Sequence, residues 1–160
     1  MRNNIKVISL ICSMAMLMLS KASFAGDKIY PGSMCKAYFA NQQSYLQYVN
    51  GATLYNNSSY AVWLACPVPK DPIRTTSRQY ASVMVLHSGY STSSFVCRFF
   101  NIASLTGDII NVTTNTLSSY WAGRDEEIAM SIPNINNTVN SLACRVPPYS
   151  EVRNYRIHEY

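Results

Sequence analysis

The segment Tyr60-Ala61-Val62-Trp63-Leu64-Ala65-Cys66-Pro67-Val68-Pro69 sets the fold that we expect for this chain. Its β-branched and aromatic content predicts a strand. Apolar residues occupy both parities from Tyr60 to Cys66, which is typical of a strand covered on both faces. Pro67 and Pro69 lack the N–H that a sheet ladder needs, so we expect the strand to close there.

A second segment repeats this pattern. Leu142-Ala143-Cys144-Arg145-Val146-Pro147 resembles Leu64-Ala65-Cys66-Pro67-Val68-Pro69, and both pass through a Cys-x-Val-Pro exit. Two interpretations stay open: similar chemistry ends two unrelated strands, or the strands occupy equivalent places in pseudo-symmetric sheets. In either case a proline ends a strand just after a buried cysteine.

Turn signals divide the rest of the chain into short β segments. Asn50-Gly51 supplies the positive φ angles of a tight hairpin turn between Tyr45–Val49 and Ala52–Tyr55. Roughly eight strands with a turn every 8–12 residues or so predict a single all-β domain, an antiparallel sandwich. The segment from Cys35 to Gln47 also fits a short N-terminal helix. Further strands are predicted at Tyr80–His87, Ser94–Phe100 (with Phe95, Cys97 and Phe99 on one face and Arg98 on the other), Ile109–Thr114, Ile128–Ile132, Val139–Val146 and Val152–Glu159.

The first 25 residues have the order of a bacterial secretory signal peptide. Arg2 and Lys6 precede the apolar run Val7–Leu19, and Ser23-Phe24-Ala25 predicts cleavage before Gly26. The apolar run is shorter than the roughly 20 residues that span a bilayer. We therefore expect a secreted or periplasmic domain from residue 26 to residue 160, without stable membrane insertion.

Four cysteines remain after this leader, at Cys35, Cys66, Cys97 and Cys144. In an oxidising compartment an even set predicts two disulfides, each contributing about 2–4 kcal/mol. We favour Cys35–Cys66, which ties the N-terminal segment to a core strand, with Cys97–Cys144 joining two central strands. The pairing Cys66–Cys97 with Cys35–Cys144 stays open.

The net charge limits the classes of partner. Three of the 13 Lys and Arg lie in the leader, so ten basic and eight acidic residues remain, a net charge of +2. This balance is too small to indicate nucleic acid or an anionic membrane surface as a partner.

Catalytic and metal-binding patterns are absent from the sequence. His87 and His158 are its two histidines, and neither a Cys-x-x-Cys nor a His-x-His motif occurs, so we predict no metal site and no cofactor. A Gly-x-Ser-x-Gly elbow is also missing. Asp125-Glu126-Glu127 is interpreted as a solvated turn at the end of a polar loop, Ser119–Glu127, and not as an acid/base pair. The sequence therefore predicts a protein that is not an enzyme.

Aromatic residues supply the candidate binding site. All 12 tyrosines follow the leader, and Tyr among Ser and Asn forms adaptable recognition surfaces. Tyr90, Tyr120 and Trp121 fall in predicted loops and are our candidate contacts. The alternative is that Tyr simply favours strands in which its hydroxyl stays hydrated.

Short motifs recur along the chain: Cys35-Lys36-Ala37-Tyr38, Cys66-Pro67-Val68-Pro69-Lys70-Asp71, Cys97, Cys144-Arg145-Val146-Pro147 and the terminal Tyr155-Arg156-Ile157-His158-Glu159. In these motifs the chain resembles a group of small exported bacterial β-proteins. Val146 departs from the Leu that is usual in that group. The resemblance implies an all-β fold and supplies no active site.

These observations favour an exported protein that binds a carbohydrate or a host or envelope macromolecule. The alternative is a structural envelope or surface component that assembles through Val152–Glu159 as an unpaired edge strand. A protease inhibitor that presents the loop Cys66–Ser77, or a hydrolase, comes third. A cavity where Tyr and Trp converge favours binding, whereas a histidine against a carboxylate favours chemistry.

Overall fold

The computed structural model describes residues 27–69, 77–88, 92–118 and 123–159, which form two antiparallel β-sheets packed as a sandwich. This confirms the predicted fold class. The strands are β1 (Lys28–Pro31), β2 (Lys36–Ala37), β3 (Leu46–Val49), β4 (Thr53–Asn56), β5 (Val62–Val68), β6 (Arg78–Leu86), β7 (Phe95–Ala103), β8 (Ile109–Leu117), β9 (Asp125–Pro133), β10 (Thr138–Val146) and β11 (Glu151–Glu159).

Sheet A has the order β3-β4-β11-β6-β9, and β1 also pairs with β11. Sheet B has the order β2-β5-β10-β7-β8. The edge strands β8 and β9 approach each other along one side of the sandwich, where Asn115 Nδ2 donates a hydrogen bond to the Ala129 carbonyl at 2.9 Å. That bond links the two sheets beyond the core.

Strict alternation along β7 shows how the core forms. Phe95, Cys97 and Phe99 are fully buried between the sheets, while Arg98 is exposed on the outer face. This orientation was predicted and is confirmed. Each large apolar side chain that is buried in this way contributes about 1.5–3 kcal/mol. The facing sheet supplies similar residues, with Val83, Ile128, Tyr155 and Ile157 among those that are buried.

Both disulfides lie in sheet B and join neighbouring segments of it. Cys35, just before β2, is bonded to Cys66 on β5, and Cys97 on β7 is bonded to Cys144 on β10. Cys97 and Cys144 are direct cross-strand partners. The favoured pairing is therefore the one that the structure contains, and the alternative pairing is wrong.

The two repeated Leu-Ala-Cys segments are neighbours in one sheet. β5 and β10 pair antiparallel, with Ala65 opposite Ala143 and with each cysteine opposite the other segment's leucine. The interpretation as equivalent strands of two pseudo-symmetric sheets is wrong, because the equivalence lies within sheet B. The leucines and cysteines face the core, which leaves the alanines on the outer face.

The N-terminal hairpin is confirmed, while the helix is not. Asn50 and Gly51 have φ angles of 53° and 71° between β3 and β4. In place of a helix the segment contains a 3₁₀ turn, Ala40–Tyr45, with none of its residues buried. A turn without a buried face has no packing to extend it into an α-helix.

Two expectations about strand ends are wrong. Pro67 lies inside β5, opposite Ser141, and the strand continues to Val68. The acidic cluster Asp125-Glu126-Glu127 is not a turn but the start of β9, where it pairs with β6. Charged residues are accommodated there because β9 is an edge strand, and charge on edge strands opposes aggregation.

The predicted edge strand is in fact central. β11 pairs with β6 on one side and with both β1 and β4 on the other. Its backbone hydrogen-bonding groups are thus used within the sheet, which removes the basis for assembly through Val152–Glu159. The predicted signal peptide lies outside the described residues, and among those described no helix is long and apolar enough to cross a bilayer.

Candidate functional site

The outer face of sheet B carries a shallow groove with an alanine floor. Ala65 and Ala143 lie opposite each other at the centre of the face because their leucine and cysteine neighbours point inward. Trp63 precedes Ala65 by two residues and therefore lies on the same face of β5, opposite Arg145 of β10. Small residues beside a large aromatic one create a depression next to a flat wall.

Tyr38 and Phe39 extend the aromatic wall beyond β2. The Tyr38 N–H donates to the Trp63 carbonyl at 2.7 Å, and the Trp63 N–H donates to Gln42 Oε1 at 3.3 Å. The Tyr38 and Phe39 rings meet edge to face, with centroids 5.0 Å apart. Their exposed fractions are 63% and 49%, which leaves both rings available to a ligand.

Arg98 reaches the same place from β7. Its guanidinium carbon lies 5.2 Å from the centroid of the Trp63 ring, a cation–π contact made across the intervening strand β10. An exposed contact of this kind contributes about 0.5–1 kcal/mol. The alanine at position 143 makes it possible, since a larger residue would stand between the two side chains.

These residues enclose a cavity of about 360 Å³, which lies within the usual range for small-ligand sites of roughly 300–1,000 Å³. Four aromatic rings, one guanidinium and apolar side chains form it. The combination suits a ligand with both flat apolar surfaces and polar groups, which is the character of a sugar ring. The lining residues are Tyr38, Phe39, Trp63, Arg98, Phe100, Ile109 and Ala143.

A second cavity, of about 370 Å³, lies on the outer face of sheet A. It contains a single aromatic side chain, Tyr80, together with Glu127 and His158. His158 Nδ1 lies 2.5 Å from Asp27 Oδ1, so a histidine does meet a carboxylate in this protein. The pair joins the start of β1 to the end of β11.

The neighbours of His158 limit what this pair does chemically. Tyr80 is its cross-strand partner on β6, while Ser82 pairs with Arg156 and is only 6% exposed. A nucleophilic serine needs its hydroxyl against the histidine, and the register gives that place to Tyr80. Within the described residues no group of three His, Cys, Asp or Glu side chains is placed to hold a metal ion.

The other histidine is part of the structure of one end of the sandwich. His87 is 3% exposed, and its ring nitrogens lie 2.6 Å from the Ser88 carbonyl and 2.8 Å from the Ser93 carbonyl. The His87 carbonyl accepts from the Gly123 N–H at 3.1 Å. These bonds join the β6–β7 and β8–β9 connections.

The sequence-predicted contacts Tyr90, Tyr120 and Trp121 lie outside the described residues and stay predictions. The same holds for Lys70, Asp71 and most of the loop that an inhibitor would present.

Sequence reasoning missed the groove residues because β5 was expected to be covered on both faces. In the structure Trp63 and Ala65 are half-buried on the outer face. The signal was available: a disulfide-bonded Cys66 faces inward, and Trp63, three residues earlier, therefore lies on the opposite, outward face. The outward orientation of Trp63 was not recognised because apolar residues occupy both parities of this strand.

The sandwich is similar to carbohydrate-binding modules of known structure. It superimposes on the N-terminal CBM22-1-GH10 modules of the Clostridium thermocellum endo-1,4-β-D-xylanase 10B, solved with xylohexaose, with a TM-score of 0.56 and 17% identity, covering 81% of this chain and 27% of that one. For a family 35 carbohydrate-binding module from Clostridium thermocellum the TM-score is 0.52 at 14% identity, covering 85% of this chain and 100% of the module. For the xylan-binding module CBM15 it is 0.52 at 13% identity, covering 84% and 97%.

Identities this low show a shared fold and no more. No protein-family model matches the chain, and neither does any curated protein sequence.

Proposed function

We propose that this protein binds carbohydrate in the groove on the outer face of sheet B and performs no chemistry on it. The observation that carries the proposal is the convergence of Trp63, Tyr38, Phe39 and Phe100 around one cavity. Aromatic rings offer flat apolar surface at low conformational cost, and the C–H faces of sugar rings pack on such surfaces. The shared fold with carbohydrate-binding modules supports the same function.

Contacts within the protein hold the groove in one shape, and a preformed groove favours ligand binding. The Cys35–Cys66 disulfide fixes the segment before Tyr38. Hydrogen bonds then join Tyr38 to β5, Ala37 to the 3₁₀ turn, and the turn to β5. A preformed site loses less conformational entropy when it binds. Each side chain of the wall therefore contributes more of its contact energy to affinity.

The test uses the full mature chain and a glycan array, followed by affinity electrophoresis on the polysaccharides that bind. The chain contains two tryptophans, so Trp63→Ala is matched by Trp121→Ala. Loss of an aromatic contact at the centre of a site costs about 2 kcal/mol or more, so we expect at least tenfold weaker binding for Trp63→Ala and little change for Trp121→Ala.

The reverse pattern would move the site to the predicted loop residues Tyr90, Tyr120 and Trp121. An array without any binding, from a chain shown to be folded by circular dichroism, would refute carbohydrate binding itself.

A hydrolytic function is the second candidate, because His158 and Asp27 form a close pair beside a cavity. It predicts turnover of an ester or glycoside in a broad screen, abolished by His158→Ala. Stable binding with no turnover of the bound glycan counts against it.

A further inference from the structure

Charge is divided unequally between the two sheets. The five strands of sheet B contain Lys36, Arg98 and Arg145 and no Asp or Glu. The six strands of sheet A contain five acidic and four basic residues. The small net charge of the mature sequence therefore conceals one purely basic sheet.

The strand register puts all three basic residues on the outer face, around the groove. Lys36 lies opposite Ala65, Arg98 lies opposite Ala143, and Arg145 lies opposite Trp63. Lys36 and Arg98 thus end a row that crosses four strands with the two alanines between them. Strands about 4.8 Å apart place the Cα atoms of this pair roughly 14 Å from each other.

Arg98 is the residue best placed to meet a ligand. It lines the cavity, and within the described residues it makes no salt bridge. Its guanidinium contacts the Trp63 ring, and the exchange of this weak cation–π contact for a charge-assisted bond is favourable. Arg145, on the same face, has one long contact, 3.4 Å from Nη1 to the Ser94 carbonyl.

We propose that the groove is selective for acidic polysaccharides, whose sugar rings carry carboxylate or sulfate groups. This inference rests on the proposed carbohydrate-binding function. A sugar ring packs on the aromatic wall, and its acidic group pairs with the planar guanidinium of Arg98, which matches such oxygens in a bidentate geometry. Lys36 and Arg145 add attraction along the chain of sugars, and no carboxylate of sheet B opposes it.

The experiment compares three polysaccharides on the mature protein: polygalacturonic acid, its carboxyl-reduced neutral form and a sulfated galactan. Isothermal titration at low and high salt gives the affinities. We expect at least one acidic form to bind about tenfold or more tightly than the neutral form, with the advantage shrinking as salt screens the charges. The two acidic arms distinguish carboxylate from sulfate as the preferred group.

Two variants and a control locate the selectivity. Arg98→Gln removes a cation from the groove, and Thr114→Asp places a carboxylate directly opposite Arg98 on β8. Each should abolish the preference for the acidic form. Thr114 is not among the residues that line the cavity, so Thr114→Asp should also leave binding of the neutral form within about threefold. Arg78→Gln, on the outer face of sheet A, should leave the preference intact.

Equal affinity for acidic and neutral forms, both weakened by Trp63→Ala, would overturn the selectivity while the proposed function stands. If no polysaccharide binds, or if a single-stranded oligonucleotide alone does, both the selectivity and the proposed function fail.

Discussion

The two outer faces of the sandwich hold cavities of nearly equal size, about 360 Å³ on sheet B and about 370 Å³ on sheet A, but with different chemistry. The first combines four aromatic rings with a guanidinium, whereas the second has Tyr80 beside Glu127 and His158. Cavity volume therefore does not distinguish them. The two cavities are distinguished by the side chains at alternate strand positions, which face away from the core and are therefore free to vary.

The faces also differ in how they are held. Sheet B contains both disulfides, while the outer face of sheet A is bridged by exposed ion pairs such as Arg153 Nη1–Asp125 Oδ2 at 2.9 Å. Covalent links keep the strands under the aromatic groove in register. Exposed ion pairs contribute about 0–1 kcal/mol and exchange readily with water.

The largest expected effect comes from breaking the central crosslink of sheet B. Replacing both Cys97 and Cys144 by alanine removes a bond between directly paired residues of β7 and β10. We expect a loss of about 2–4 kcal/mol in the free energy of unfolding, measured by urea denaturation followed by circular dichroism.

The matched control for that variant is reduction of the parent protein with dithiothreitol, which also opens Cys35–Cys66 and should destabilise it further. An unfolding midpoint that does not change in the double variant would contradict a stabilising role for this crosslink.

A smaller effect should come from a hydrogen bond that joins the two sheets. Tyr155 of β11 is buried and donates its hydroxyl to the Pro67 carbonyl of β5 at 2.7 Å. Tyr155→Phe removes this hydrogen bond, so we expect a loss of about 1 kcal/mol. The same denaturation experiment measures it, and a variant as stable as the parent protein would contradict the expectation.

This tyrosine also gives a pH dependence. Burial, and secondarily the neighbouring Tyr30, raise the pKa of Tyr155 well above its ordinary value of 10.0. The folded chain then holds the phenolic proton more tightly than the unfolded chain. The stabilisation is fully present below about pH 10 and is lost as the pH rises above it. In Tyr155→Phe, the free energy of unfolding should therefore fall less as the pH rises. Unfolding midpoints of both proteins, measured between pH 9 and about 11, would show the difference.

The smallest expected effect concerns the charged face of sheet A. Arg153→Ala breaks an ion pair whose side chains are 40% and 46% exposed, so we expect a change of at most about 1 kcal/mol in stability and none in glycan affinity. A larger loss of affinity would contradict the separation of the two faces.

Local features of the fold could be predicted from the sequence because short-range chemistry decides them. The Asn50-Gly51 turn needs only the positive φ that these two residues tolerate, and the alternation from Phe95 to Phe99 needs only the two-residue period of a strand. Pairing between distant strands is different. Nothing local indicates that β5 lies beside β10, or that β11 lies at the centre of its sheet.

The candidate site shows the same division. Trp63 could have been assigned to the outer face by counting from Cys66. The contact between Trp63 and Arg98 could not have been predicted, because it depends on β10 lying between β5 and β7 and on an alanine at position 143. The basic character of the groove depends on the same pairing, since Lys36 and Arg145 come from strands far apart in the sequence.

The most direct test of the account is to find which face a bound glycan perturbs. Backbone amide shifts in a ¹H–¹⁵N spectrum, recorded while an oligosaccharide of the best-binding polysaccharide is titrated, report this residue by residue. We expect the largest shifts at Trp63, Ala65, Arg98 and Ala143, with Tyr80 and Ala129 unchanged. Shifts confined to Tyr80, Ala129 and His158, with the Trp63 face unchanged at saturation, would contradict glycan binding in the groove of sheet B.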